Sequence, residues 1–189
     1  GSPMRNLGNP HLFLVKFDPA GNNVWTRQME STGFDLAIAV AIDKAGNIYV
    51  AGVTTATLPG SPTPNQGGDD LFLVKFDPGG DNVWTRQMGS PGLDQANAVA
   101  TDHEGNIYVA GQTSGTLPGS PTPNQGNTDL FLVKFNPAGD NVWTRQMGSY
   151  AYDSANAIAV DDAGNIYRAG HTSTNVSGSP TRTLGNPHL

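Results

Sequence analysis

LFLVKFDPAGNNVWTRQM, Leu12 to Met29, returns as LFLVKFDPGGDNVWTRQM from Leu71 to Met88 and as LFLVKFNPAGDNVWTRQM from Leu130 to Met147, with the same spacing both times. A fixed period of about 60 residues marks a repeat architecture, in which each copy is one supersecondary unit unable to bury a core alone. Within the stretch, Leu12 to Phe17 is apolar on both faces apart from Lys16, as expected of a strand held between two layers. Asp18-Pro19-Ala20-Gly21-Asn22 supplies a turn, with Pro fixing φ early and Gly or Asn accepting positive φ. Asn23 to Met29 then puts Val24, Thr26 and Gln28 on one face and Trp25, Arg27 and Met29 on the other, which reads as a wetter strand near a rim.

Working outward, Asp35 to Asp43 and Ile48 to Thr54 flank Lys44-Ala45-Gly46-Asn47, a second hairpin with a D-x-x-G-N turn. It recurs as Asp94 to Asp102 with Ile107 to Thr113, and as Asp153 to Asp161 with Ile166 to Thr172. Ala37, Ala39 and Ala41 alternate with Ile38, Val40 and Ile42, so one side of that strand admits a close neighbour, which suits a crowded innermost position. A Pro-rich loop, Leu58 to Asp70 and again Leu117 to Asp129, leads into the next LFLVKF. Each repeat is thus four antiparallel strands, two hairpins and one long loop, so the fold expected is all-β: a β-propeller of four-stranded blades, three blades' worth per chain.

ANAVATDHEGNIYVAGQT (Ala96 to Thr113) followed by DLFLVKFNPAGDNVWTRQMG (Asp129 to Gly148) resembles the bacterial SBBP β-propeller repeat and, more distantly, NHL blades. The resemblance spans essentially the whole chain. It implies that AVAxD is the innermost strand, IYVAG the second, LFLVKF the third and VWTRQ the outermost. It implies no enzymatic activity and points to a secreted or cell-surface bacterial setting. Ile38 departs from Asn97 and Asn156, Glu30 from Gly89 and Gly148, and Arg168 from Val50 and Val109.

In this register, residues 12–29 are the outer hairpin of a blade, 35–88 and 94–147 are complete blades, and 153–172 is an inner hairpin without its outer strands. LGNPHL occurs at Leu7 to Leu12 and again at Leu184 to Leu189, three periods later, so residues 173–189 overlap the segment 1–11. Gly1-Ser2-Pro3 ahead of Met4 reads as a cloning scar, and the boundaries read as a three-repeat segment cut or designed from a larger ring. Of the two LGNPHL copies, Leu184 to Leu189 is the one expected to be displaced, because Leu7 to Leu12 runs directly into a strand.

Composition removes several function classes. A net charge of −6, with 14% charged residues, offers no basic patch to nucleic acid or anionic lipid. No apolar run approaches the roughly 20 residues of a membrane helix. The absence of cysteine rules out disulfides and thiolate metal sites. Glycines and prolines fall at regular turn positions.

Among candidate chemistry, Asp35, Asp94 and Asp153 begin the inner strands and could ring a channel mouth around calcium or magnesium. A bond from each to a loop amide is the preferred reading, so no metal or cofactor is expected and a chelator should leave the melting temperature unchanged. The Asp43, Asp102 and Asp161 series reads as turn chemistry. Trp25–Arg27, Trp84–Arg86 and Trp143–Arg145 could stack on sugars or bases, or seal blade edges by cation–π contact, the preferred reading. Tyr150, Tyr152, Arg168 and His171, where the last repeat breaks the pattern, are the remaining ligand or interface candidates. The four histidines lack a paired acid or nucleophile, and Asn175-Val176-Ser177 matches a glycosylation acceptor by chance.

The function expected is therefore a non-catalytic scaffold whose partner is itself. Three blades cannot close a ring. Hairpin 153–172 should pair with hairpin 12–29 of another copy, giving a homodimer of six blades or a homotrimer of nine, with a slight lean to the dimer. The alternative is a module binding glycan, peptide or cation through rim loops or the channel. Burial should be dominated by Phe13, Phe17, Trp25, Val40, Ile48 and their equivalents one and two repeats on.

Overall fold

The computed structural model describes residues 9–175, and twelve β-strands and no helix run through them. They are β1 (Leu12–Phe17), β2 (Asn23–Met29), β3 (Asp35–Ile42), β4 (Ile48–Thr54), β5 (Asp70–Phe76), β6 (Asn82–Met88), β7 (Asp94–Thr101), β8 (Ile107–Thr113), β9 (Asp129–Phe135), β10 (Asn141–Met147), β11 (Asp153–Val160) and β12 (Ile166–Thr172). β3-β4-β5-β6 and β7-β8-β9-β10 are four-stranded antiparallel sheets, whereas β1-β2 and β11-β12 are separate two-stranded sheets. The described residues therefore hold two complete blades between two half-blades. The expectations on the terminal overlap and its displaced copy lie outside the described residues, as do Val176 and Ser177 of the glycosylation motif.

The turns form as their residues dictate. Asp43 accepts from the amides of Ala45 and Asn47 at 2.9 Å, from the Asn47 side chain at 2.8 Å and from the Tyr49 hydroxyl at 3.0 Å. Gly46 takes a φ of +83° that a side chain would resist. Asp102 and Asp161 repeat this network. Each inner strand carries a bulge, between Ala37 and Ala39 in β3 and between Ala96 and Ala98 in β7. Asn97 sits at the second bulge and donates to the Ala155 carbonyl at 3.1 Å, tying β7 to β11. Ile38, at the same place in β3, has no donor for that bond.

β3, β7 and β11 lie side by side, and the blades stack through two apolar layers. Tyr49, Ala51, Leu71 and Leu73 pack on Val99, Ile107, Val109 and Phe131 of the following blade. Ile48, Val50, Phe72 and Val74 pack on Leu12, Leu14 and Trp25 of the preceding half-blade. The apolar burial expected at Phe13, Phe17 and Val40 is overturned: they are 66%, 60% and 59% exposed, while Phe72, Phe76 and Val99 are buried. Their faces are the ones that meet a preceding blade in the other repeats, and no blade precedes them among the described residues. The tryptophans are half-buried at the rim rather than central. The outer strand is also drier than its alternation implies, because Thr85, Gln87, Thr144 and Gln146 are buried beneath the Pro-rich loops.

Candidate functional site

The Trp–Arg pairs join one blade to the next. The Arg27 guanidinium lies over the Trp25 ring at 5.2 Å and donates to the carbonyls of Gly80 and Gly79 at 2.8 and 2.9 Å, in the β5–β6 turn of the following blade. Arg86, over Trp84 at 5.2 Å, does the same to Gly139 and Ala138 at 2.8 and 3.0 Å. Gly80 and Gly139 are required twice over: φ is +85° and +84°, and a β-carbon would come within 3.0 and 2.9 Å of the tryptophan ring. Arg145 lies over Trp143 at 5.4 Å but, among the described residues, donates only to the carbonyl of the neighbouring Thr144, at 2.9 Å. Gly21, the turn glycine of β1–β2, has nothing within 4 Å of its would-be β-carbon among the described residues.

A second repeated set is divided between the two ends. In the complete blades, Tyr49 packs on Trp84 at 6.1 Å beneath Lys75 at 5.5 Å, and Tyr108 packs on Trp143 at 6.2 Å beneath Lys134 at 5.3 Å. Tyr167 stands in the same place on β12 but is 59% exposed, while the matching Lys16 and Trp25 are on β1–β2 at the other end. Glycine at mid-strand makes the same point. The Phe72 ring sits where a β-carbon on Gly52 would be, at 2.9 Å, and Phe131 does so at Gly111. For Gly170, their equivalent, the three nearest atoms among the described residues are all β11 backbone, and Phe13, the matching ring, is exposed on β1. A slot of about 230 Å³ beside β12 is lined by Leu130, Met147, Ala155, Arg168, Gly170 and His171. A groove of about 290 Å³ at the opposite end is lined by Phe13, Val15, Phe17, Ala37 and Val40.

Arg168 and His171 thus come together in one slot, whereas Tyr150 and Tyr152 are exposed in the loop before β11 and do not line it. Arg168 reaches the Met147 sulfur at 3.8 Å, and burial lowers its pKa.

Asp35 and Asp94 are occupied within the chain, whereas Asp153 accepts only from the Ser149 amide and hydroxyl, at 2.6 and 2.8 Å, and its other oxygen is buried without a partner among the described residues. Asp35 accepts from the Ser31 amide and hydroxyl at 2.8 Å and from the Thr54 hydroxyl at 2.6 Å. Asp94 repeats this with Ser90 and Thr113. Each thereby locks the connection between one blade and the next. Among the described residues no group of three or more His, Cys, Asp or Glu side chains could hold a metal ion.

Sequence reasoning missed the latch under each Pro-rich loop. Gln87 donates to the Ala56 carbonyl at 3.0 Å and to Asp70 at 2.9 Å, and it accepts from the Leu58 amide at 3.0 Å. Burial raises the Asp70 pKa; bonds from Gln87 and the Gln66 amide oppose the rise, and the charges of Asp94 and Asp69 add to it. One Asp70 oxygen is buried without a partner. A carboxyl raised in the folded state contributes stability below its ordinary pKa and loses it as pH rises through the folded value. Asp70→Asn should therefore raise the melting temperature by a few degrees at pH 7, with the gain disappearing towards pH 3 in thermal scans. In the first half-blade His11 takes the Asp70 position, and Glu30 takes that of Gly89, where a side chain would strike Asp70. His11 lies 3.7 Å from Glu30, so the longer side chain at position 30 meets an imidazole rather than the carboxylate it would strike in the other repeats, without a hydrogen bond between the two. Only aligning position 11 with position 70 could have found this in the sequence.

Comparison with known proteins agrees with this architecture. The model of the SBBP beta-propeller repeat matches residues 24–58, 83–118 and 142–176. The regulatory protein FlaEY of Caulobacter vibrioides is 28% identical over 172 residues, covering 85% of this chain and 18% of that protein. An uncharacterized WD repeat-containing protein, L264, of Acanthamoeba polyphaga mimivirus is 28% identical over 176 residues, covering 79% of this chain and 13% of its own length. The chain thus spans less than a fifth of either relative.

Proposed function

Since the chain belongs to the SBBP beta-propeller repeat family, we propose that it is a non-catalytic scaffold in which half-blade β11-β12 of one copy is completed by half-blade β1-β2 of the next until a ring closes. The observation that carries this is the divided blade: among the described residues the nearest atoms to Gly170 include no ring like the one that closes on Gly52 and Gly111, and Phe13 carries that ring exposed. The register follows from β4–β5, where Ile48 faces Phe76 and Thr54 faces Asp70. Carried two repeats on, Ile166 faces Phe17 and Thr172 faces His11 of the next copy. Tyr167 then gains Trp25 and Lys16, and both exposed strand edges are paired. Two copies make six blades, inside the usual range of about 4–8, so the dimer is preferred over a trimer of nine. Family membership favours an extracytoplasmic bacterial setting.

Hydrogen exchange tests the pairing. The outward amides of β1 and β12 should be protected as strongly as those of β4 and β5, and rapid exchange at both edges would contradict it.

A second reading, a module that binds glycan or peptide, draws on a cleft of about 330 Å³ between the complete blades, lined by Gln66, Arg86, Met88, Phe135 and Asp140. Its lining mixes polar side chains with the apolar Met88 and Phe135, which suits such a ligand. Binding that Met88→Glu abolishes while the assembly stays intact would favour it.

A further inference from the structure

The clamp that joins one blade to the next is built three times and engaged twice. Arg27 and Arg86 each hold two successive carbonyls of the following turn. Beside them, Lys16 donates to the Pro78 carbonyl at 3.4 Å and Lys75 to that of Pro137 at 3.3 Å, so each turn is held along three consecutive carbonyls. Lys134 and Arg145 are the third set of donors, with Trp143 as the platform, and among the described residues no following turn meets them. The turn at the other end is ready to receive them. Gly21 has a φ of +84°, as Gly139 does, and its amide closes the turn on the Asp18 carbonyl at 2.9 Å, as Gly139 does on Asn136. Ala20-Gly21 repeats Ala138-Gly139 residue for residue. Among the described residues no donor reaches the Ala20 or Gly21 carbonyl.

On the ring reading above, we infer that Arg145 of one copy clamps the Ala20 and Gly21 carbonyls of the next copy, with Lys134 on the Pro19 carbonyl, and that this polar contact sets the angle at which the copies join. Strand pairing alone leaves that angle free, because it connects strands within one sheet. The clamp connects successive sheets. A guanidinium suits this role because its planar fork addresses two carbonyls at once while its face stays stacked on tryptophan.

The test is the full chain carrying Arg145→Ala, compared with wild type by concentration-dependent light scattering. The expected result is association weakened 10- to 100-fold, with unchanged circular dichroism, since among the described residues of the single chain Arg145 bonds only its neighbour's carbonyl. Arg145→Lys should behave like the alanine variant, because one ammonium cannot reproduce the fork. Arg86→Ala, the internal counterpart, should lower thermal stability and leave association unchanged. Wild-type chains that stay single at every concentration would overturn the ring reading and the clamp with it. Wild-type assemblies that Arg145→Ala leaves equally tight would overturn the clamp alone.

Discussion

Phe13→Ala should separate the copies while leaving each chain folded. In the single chain Phe13 is 66% exposed, and substitutions at such surface positions shift stability by no more than about 0.5 kcal/mol. In the completed blade the same ring takes the place of Phe72, which is fully buried against Gly52. Removing a buried phenylalanine ring costs about 3–5 kcal/mol, and every 1.4 kcal/mol is roughly tenfold in an equilibrium constant. Each junction should therefore weaken by a factor of about 10²–10³ or more, read as the concentration at which assemblies fall apart. Phe72→Ala is the internal comparison and should lower the melting temperature instead. Equal association by wild type and Phe13→Ala would place the ring outside any junction.

Gly111→Ala should disrupt the second complete blade. The bulge between Ala96 and Ala98 turns the Gln95 carbonyl into the space where a β-carbon would stand, and Phe131 closes the other side at 2.9 Å. The carbonyl belongs to the paired inner strand, and the ring is fully buried, so neither can give way cheaply. Overpacking of this kind costs about 3 kcal/mol or more, which for a chain of this size is a loss of about 6–12 °C in melting temperature. A change of about 1 °C or less would show that β7 and β8 can separate without consequence.

The repeat period and the turn glycines made the blades legible, because both are local: the strand sequence alternates within each copy, and Gly46, Gly105 and Gly164 each serve a single turn. The Trp–Arg pairs were legible as interface material. Their acceptors were not, since these are backbone carbonyls that lie most of a repeat further along the chain. The Gln87–Asp70 latch was hidden for a related reason: it exists only once the loop from Leu58 folds back over the outer strand. Phe13 and Val40 show a different limit. Their apolar character predicted burial, and the other repeats show the surface that buries their equivalents, but among the described residues no such surface covers them.

Native mass spectrometry or light scattering of the purified chain tests the central claim most directly. One chain has a mass of 19.8 kDa, so a closed ring of two copies doubles that mass and a ring of three triples it. The account predicts one of these two masses, preferentially the doubled one, unchanged across micromolar concentrations. A single species at 19.8 kDa over that range would contradict it.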